Sequence, residues 1–261
     1  MHRANHRHWR PRSTYCAGPA KRTFDVVVAG LLAVLTAPVV LALALGSALA
    51  FRAWPFFVQD RLGRGGESFR FVKIRSLPTD APRYADKYTV AAAGNNRFGR
   101  LLRASHLDEL PQLWLVVSGR MSLVGPRPEM AVVAETFEPS FVAARTRIRP
   151  GCTGPWQVSE SADRLIGEDT RFDLYYLSEA TFGLDLAVLW RTFAQLLGAA
   201  PLTYDRLCGS IDGYLGDLPR AERDLDAAVV DDASWADAGG FRRQLLALFD
   251  ESYEPWSTGV G

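Results

Sequence analysis

Two adjacent carboxylates, Asp108 and Glu109, lie in the run Leu107-Asp108-Glu109-Leu110-Pro111-Gln112-Leu113-Trp114, followed closely by Met121-Ser122-Leu123-Val124-Gly125-Pro126-Arg127-Pro128-Glu129. Two acids just ahead of a proline and an apolar helical pattern place negative charge at a helix N-terminus. There, unpaired N–H groups and the positive end of the helix dipole favour anions. Arg103 precedes the pair and Arg127 follows it, each able to grip a phosphate with a planar fork of donors. A carboxylate nucleophile among phosphate-binding groups points to phosphoryl-type transfer through a covalent intermediate. Alone, an Asp-Glu pair is more often a helix cap with solvated charges; the surrounding motifs reverse that order.

The elements that must position these groups are legible in outline. Phe56 to Arg61 and Ser68 to Arg75 read as two short strands around the Gly-rich turn Gly63-Arg64-Gly65-Gly66. Alternation in the second strand sets Lys73 and Arg75 on the face of Phe69 and Phe71, either as a cationic surface or as a hairpin presenting both cations to a phosphate. Residues 77–96 are polar and loop-like. A basic amphipathic helix carries Phe98, Leu101 and Leu102 among Arg97, Arg100 and Arg103, a composition suited to a membrane interface. Leu110, Leu113, Trp114 and Val117 follow a one-faced helical spacing that Gly119 ends. Residues 131–147 read as helix, Arg149-Pro150-Gly151 as a sharp break, and Leu184 to Leu197 as a last helix.

The run from Val26 to Phe51 is apolar and free of charge, long enough to span a bilayer. Its distance from the start and its lack of a small-residue cleavage site argue against a signal peptide. Pro38 in its middle removes a helical hydrogen bond. Lys21 and Arg22 flank one end and Arg52 the other, a distribution satisfied if both ends stay cytoplasmic. A helix–break–helix hairpin dipping into one leaflet fits both facts; a kinked single-pass helix is the alternative. The formal net charge of +1 hides a basic N-terminus and an acidic C-terminus. Neither end interleaves basic and aromatic residues as nucleic-acid readers do, so no nucleic-acid partner is expected. Three widely spaced cysteines form no metal pattern or disulfide framework, which favours a reducing setting. The expected organisation is a flexible basic arm over 1–20, a re-entrant membrane helix over 21–53, a catalytic domain over 54–198, and an acidic extension over 199–261 with amphipathic helices near Leu225–Val230 and Phe241–Phe249.

These motifs, in order, resemble the bacterial sugar transferases, the monotopic phosphoglycosyl transferases. The resemblance covers roughly residues 21–198 and rests on Lys21-Arg22-x-x-Asp25, Phe57-x-Gln59-x-Arg61-x-Gly63, Lys73-x-Arg75, Leu102-Arg103, the Asp108-Glu109 and Gly125-Pro126-Arg127-Pro128 runs, Pro150-Gly151-x-Thr153-Gly154-x-Trp156-Gln157-Val158, and Asp173-Leu174-Tyr175-Tyr176. It implies a mainly helical α/β fold: a re-entrant membrane helix plus a small cytosolic domain with interfacial helices and a short β-hairpin or sheet. It also implies an enzyme of the bacterial inner membrane, on the cytosolic face, that passes sugar-1-phosphate from a UDP-sugar to polyprenyl (undecaprenyl) phosphate at the start of surface-glycan synthesis. Asp108 is then the nucleophile and Glu109 the Mg²⁺ ligand. Lys73, Arg75, Arg103, Arg127, Arg164 and Gln157 contact phosphate or substrate, and a homodimer is conceivable. A non-catalytic membrane scaffold of the same fold is the alternative. Three departures stand out. Ser159-Glu160-Ser161-Ala162-Asp163-Arg164 displaces a family arginine, with Arg164 the candidate replacement; Ser76-Leu77 stands for Thr-Met; Ala37 precedes Pro38 where serine is frequent. His106 and Cys152 are read as packing residues. Trp156 is either core or a stacking platform for uracil.

Overall fold

Residues 14–81 and 96–209 are described by the computed structural model of this protein. Most of the expected basic arm, most of the polar loop and the acidic segment from residue 210, with its two expected helices, lie outside the described residues. A short 3-10 turn, Tyr15–Ala17, leads into α1, Pro19–Phe51. Pro19 sits in the first turn, where its missing N–H would be unpaired anyway. The helix is continuous through Pro38, so the interruption expected there is not one of secondary structure. Its ladder is weakened locally: Pro38 donates no bond, and the Thr36 hydroxyl donates back to the Leu32 carbonyl at 2.7 Å.

Burial along α1 is confined to its two ends. Lys21, Asp25, Ala29 and Ala33 recur on one face, and Ala44 and Ser47 are buried near the far end; the side chains from Val34 to Leu43 are exposed or half-buried. The stretch is long and apolar enough to cross a membrane and is largely uncovered. At its start the Arg22 guanidinium donates to the carbonyls of Val116 and Val117, at 2.8 and 3.0 Å. At its end the Ser47 hydroxyl donates to the Arg75 carbonyl at 2.7 Å.

Strands β1, Phe56–Leu62, and β2, Ser68–Ile74, pair antiparallel from Phe56 opposite Ile74 to Leu62 opposite Ser68, within a residue of the expected limits. Gly65 and Gly66 turn the hairpin at φ 75° and 76°, a region glycine enters without a Cβ penalty. Helix α2, Arg97–Ser105, is capped by the Asn96 side chain, which accepts from the N–H groups of Phe98 and Gly99. His106, at φ 54°, ends it, and its N–H donates to the Arg103 carbonyl. A 3-10 turn, Leu107–Glu109, then precedes α3, Gln112–Val117.

Beyond Gly119 the chain forms β3, Ser122–Val124, then α4, Ala131–Ala134, α5, Pro139–Arg145, and β4, Gly151–Thr153, which is parallel to β3. Two readings change here. The helix expected over 131–147 is two, because Pro139 starts a new one. The expected break at Arg149-Pro150-Gly151 leads straight into a strand. A parallel pair needs a long crossover, which α4 and α5 supply. Helices α6, Arg171–Glu179, α7, Phe182–Leu196, and α8, Tyr204–Gly209, close the described chain. The segment expected to open the acidic extension stays on this body: the Leu202 N–H donates to the Val158 carbonyl at 2.9 Å, and Tyr204 packs edge-on against Phe172, centroids 5.3 Å apart.

A buried polar knot joins α1 to this body. Lys21 Nζ lies 2.9 Å from Asp25 and 2.7 Å from Asp185. The Ser122 hydroxyl donates to Asp25 at 2.7 Å. The Tyr176 hydroxyl donates to Asp185 at 2.7 Å, and that of Tyr15 does so at 2.9 Å. Each carboxylate therefore has both a cation and hydroxyl donors, the condition under which buried charge is tolerated.

Candidate active site around Asp108 and Glu109

The dyad occupies the 3-10 turn between α2 and α3, held against the hairpin. Asp108 is 3% exposed, whereas Glu109 is half-buried. The Ser76 hydroxyl donates to an Asp108 carboxylate oxygen at 3.3 Å, and the Arg103 guanidinium donates to the Ser76 carbonyl. Ser76 thus bridges the nucleophile candidate and a cation. On the hairpin, Phe57, Gln59, Arg61, Phe69, Phe71 and Lys73 share one face by register. Lys73 Nζ stands 5.6 Å from the centroid of Phe57, its partner across the ladder, and Arg61 lies 5.4 Å from that of Phe71.

Burial pushes the Asp108 carboxyl above the ordinary range, and Glu109 adds to the rise; Lys73 and the Ser76 hydroxyl pull it back. Lys73 is pushed down by burial, against the attraction of Asp108 and Glu109. Arg61 is lowered to about 10 by burial, with Glu129 and Glu109 opposing and Arg127 reinforcing. Lys73, Arg61, Arg127, Asp108, Glu109 and Glu129 thus act on one another as a single electrostatic cluster.

Arg127 is set in place by its backbone. A Cβ added to Gly154 would lie 2.2 Å from the Gly125 carbonyl oxygen, and one added to Gly151 would lie 2.2 Å from the Gly125 nitrogen. Only main chain fits at this crossing, and Pro126-Arg127 leaves directly from it. The Arg127 carbonyl accepts from Arg145 at 2.7 Å; Arg145 in turn pairs with Asp173 at 3.0 Å and lies against the rings of both Phe137 and Phe141. Glu129 bridges Arg61 at 3.5 Å and Arg127 at 3.8 Å.

The sequence-selected residues divide into two groups. Asp108, Glu109, Lys73, Arg103 and Arg127 converge. Arg75 lies past the end of β2 with its Nε donating to the Trp54 carbonyl at 2.9 Å. Arg164 is exposed on the turn after Ser159, and no bond among the described residues ties it to the dyad. That altered stretch is held internally: Ser161 donates to Asp169 at 2.5 Å, and Arg171 grips the same carboxylate at 2.9 and 3.1 Å. The Gln157 amide packs over Gly154, buried and without a partner for either its nitrogen or its oxygen among the described residues. Trp156 is 6% exposed, which assigns it to the core.

Three contributors escaped selection as site residues. Arg61 was visible within its motif. Ser76 stands where the resembled family carries a hydroxyl. Arg145 gave no signal in periodicity or motif. Among the described residues no group of three or more His, Cys, Asp or Glu side chains could cage a metal. Mg²⁺ commonly takes one or two carboxylates and completes its shell with water and phosphate oxygens. Glu109 suits that mode, so the residues fit a substrate-bridged Mg²⁺ and not an all-protein site.

A β-hairpin, an acidic turn and a glycine crossing gather Lys73, Arg61 and Arg127 with Asp108, Glu109 and Glu129 in one cluster suited to phosphate chemistry, and the comparisons give that arrangement a lineage. Residues 16–199 match the bacterial sugar transferase family, and the chain belongs to it. It is 38% identical over 191 residues to the UDP-glucose:undecaprenyl-phosphate glucose-1-phosphate transferase of Caulobacter vibrioides, covering 68% of this chain and 69% of the relative. It is 33% identical over 188 residues to the UDP-N-acetylgalactosamine-undecaprenyl-phosphate N-acetylgalactosaminephosphotransferase of Aeromonas hydrophila, covering 68% of this chain but 43% of that protein. The exopolysaccharide production protein ExoY of Rhizobium meliloti is 30% identical over 191 residues, 67% of this chain and 84% of its own. The chain therefore spans less than half the length of some curated relatives it matches.

Proposed function

We propose that this protein is a membrane-bound phosphoglycosyl transferase that moves a sugar-1-phosphate from a UDP-sugar to polyprenyl phosphate, undecaprenyl phosphate in a bacterium, and so initiates surface polysaccharide or glycoconjugate synthesis. The observation that carries the reading is Asp108: buried, held by Ser76, and faced by Lys73. An Asp108 carboxylate oxygen attacks the phosphorus bearing the sugar; the bond from that phosphorus to the bridging oxygen breaks, and UMP leaves with the oxygen. The resulting acyl phosphate is attacked at phosphorus by an oxygen of polyprenyl phosphate, which frees the Asp108 carboxylate and yields the polyprenyl diphosphate sugar. Glu109 would hold Mg²⁺, which would supply positive charge to offset that of the departing UMP. Lys73, Arg61 and Arg127 are fixed before substrate arrives, so their charge acts on the transferring phosphoryl group with little reorganisation.

The proposal extends to the membrane arrangement. Both ends of α1 seat on one body, through Arg22 and Ser47, while the region around Pro38 stands clear of it. This supports a helix that enters one leaflet and returns, with the catalytic body on the cytosolic face of the inner membrane, where a lipid phosphate reaches Asp108 without leaving the bilayer. The relatives' names differ in the sugar they carry, so the donor sugar is read by assay. Detergent-purified protein with Mg²⁺, polyprenyl phosphate and a panel of UDP-sugars is expected to release UMP with one of them. A β-phosphate label from that donor is expected to attach to the protein in a hydroxylamine-sensitive form and to be absent in Asp108→Asn. Turnover retained in Asp108→Asn would refute the covalent route, and silence across the panel from a folded protein would favour the scaffold reading.

A further inference from the structure

The stretch that carries Gln157 is gripped by residues that lie past the family match. That match ends at residue 199, yet the chain beyond it stays on the body. Leu202 and Leu207 are buried, and the Arg191 guanidinium donates to the Ala200 carbonyl at 2.8 Å. Leu202 forms an isolated parallel bridge with Ser159: its N–H donates to the Val158 carbonyl at 2.9 Å, and its carbonyl accepts from the Glu160 N–H at 3.1 Å. The Val158 carbonyl takes a second bond from the Gln195 amide at 2.7 Å, so both of its lone pairs are used.

A second route reaches the same place from the other side. The Ser159 hydroxyl donates to the Trp156 carbonyl at 2.8 Å and accepts from the Ser161 N–H at 3.1 Å. Ser161 is tied to Asp169 and Asp169 to Arg171, whose guanidinium lies 4.9 Å from the centroid of the Tyr204 ring. Tyr204 stands two residues after Leu202 and packs against Phe172 and Tyr175. The main chain on each side of Gln157, at Trp156 and at Val158, is thereby held in a closed circuit that runs through Leu202 and Tyr204. Gln157 is what the circuit presents. Its amide nitrogen and oxygen are both buried without a partner among the described residues, beside Gly154 where that glycine meets the Gly125 carbonyl. A buried amide left so costs free energy, and a ligand that completes its bonds removes that cost. The idle donor and acceptor stand at the crossing from which Pro126-Arg127 leaves.

We propose that residues 200–207 are a positioning element of the donor site: through Leu202 and Tyr204 they clasp the main chain around Gln157 and so hold its amide where it meets the nucleotide-sugar. This rests on the proposed transfer and on Gln157 as a donor contact. The clasp acts before any donor arrives, so the amide is ordered in advance and the ordering cost is not charged to binding. The start of the C-terminal extension is then part of the transferase, and its loss weakens the grip on the donor while leaving the lipid acceptor alone.

The test uses the full chain in detergent with Mg²⁺. Leu202→Pro removes the N–H given to Val158 but keeps the carbonyl that accepts from Glu160, and Tyr204→Ala breaks the other route. Thr181→Ala, at the start of α7, is the control for lost stability alone. UDP affinity is measured by calorimetry, and KM for the UDP-sugar and for polyprenyl phosphate from UMP release, all well below each thermal midpoint. UDP binding is expected to weaken roughly two- to tenfold in both clasp variants, the scale of one lost hydrogen bond, with KM for the UDP-sugar rising alongside. KM for polyprenyl phosphate is expected to hold, and Thr181→Ala to change neither. In a Gln157→Ala background the clasp variants are expected to weaken UDP binding no further. UDP affinity unchanged in a clasp variant that folds, KM for polyprenyl phosphate raised in equal measure, or a loss that adds in full to that of Gln157→Ala would each overturn the proposal. A parent that binds UDP through the clasp but releases no UMP with any donor would leave the positioning role standing and sink the transfer reading. A parent that binds no UDP fails both.

Discussion

Gly154→Ala tests whether the glycine crossing sets the position of Arg127. The added Cβ would stand 2.2 Å from the Gly125 carbonyl oxygen and 2.9 Å from Gln157 Oε1, where ordinary contact begins near 3.4 Å. Gln157 is a side chain and can swing away; the Gly125 carbonyl is main chain and cannot move without Pro126-Arg127. The backbone must therefore open by about 1 Å, a displacement the close-packed interior does not absorb freely. Overpacking of this kind costs about 1–3 kcal/mol of stability. Misplacing a phosphate-binding group by about 1 Å lowers the rate by roughly 10²-fold, equivalent to about 2.7 kcal/mol in the barrier. Gly65→Ala is the control: its φ of 75° strains any other residue, but its Cβ would meet nothing within 4 Å and it takes no part in the glycine crossing. Expected in UMP release at saturating substrates are a loss near two orders of magnitude for Gly154→Ala and a rate within about twofold of the parent for Gly65→Ala, which loses about 1–2 kcal/mol from the left-handed backbone alone. Gly154→Ala turning over within about threefold of the parent, with an unchanged thermal midpoint, would refute the reasoning.

Other perturbations follow from the same contacts. Lys21→Met strands two buried carboxylates and is expected to cost about 3–5 kcal/mol in thermal or denaturant unfolding, part of it recovered by adding Asp185→Asn. On the proposed route transfer requires ionised Asp108, and burial raises its pKa, so the acid limb of the kcat profile is expected to lie above the roughly 3.9 of a free aspartate, activity falling as pH drops through it. Ser76→Ala removes a donor that favours the charged carboxylate, and the limb is expected to move further up, readable in UMP release against pH. Thr181→Ala deletes the hydroxyl that accepts from the Leu184 N–H at 3.1 Å and is expected to lower stability by about 1 kcal/mol without changing the donor-sugar preference.

Much of this architecture was readable from residue order because its signals are local. Alternation of aromatic and cationic residues located the hairpin, and four apolar residues at helical spacing located α3. The dyad and Lys73 stand out through the motifs around them, since a lone Asp-Glu pair reads as a helix cap and a lone strand cation as surface. What escaped depends on partners distant in sequence. Strands β3 and β4 are three residues each, too short to show alternation, and exist only because Gly125 and Gly151 meet across a crossover. Arg145 looks like a surface residue of a short helix until Asp173 and the Arg127 carbonyl close on it. Arg75 and Arg164 show the converse: arginines of the right type, one carried past the end of its strand and the other onto an exposed turn. The sequence pattern counts cations, and only the fold aims them.

The knot at Lys21 also bears on the order in which the protein can be completed. Its charge is balanced by Asp25, available at once, and by Asp185, which leaves the ribosome after the dyad, the hairpin and both parallel strands have been made. Until α7 arrives, Lys21 and Asp25 have each other and Ser122, but Lys21 lacks the second of its two carboxylates. Helix α1 is thus seated early by Arg22 and Ser47, while its charged root is completed only when α7 is made. On the proposed membrane reading of α1, a ribosome that stalls before α7, or a chain cut ahead of it, leaves that helix with Lys21 short of Asp185 at its root. Such a truncated product would differ from the finished enzyme at the membrane surface, where a quality-control protease that samples loose, hydrated helix ends could tell the two apart.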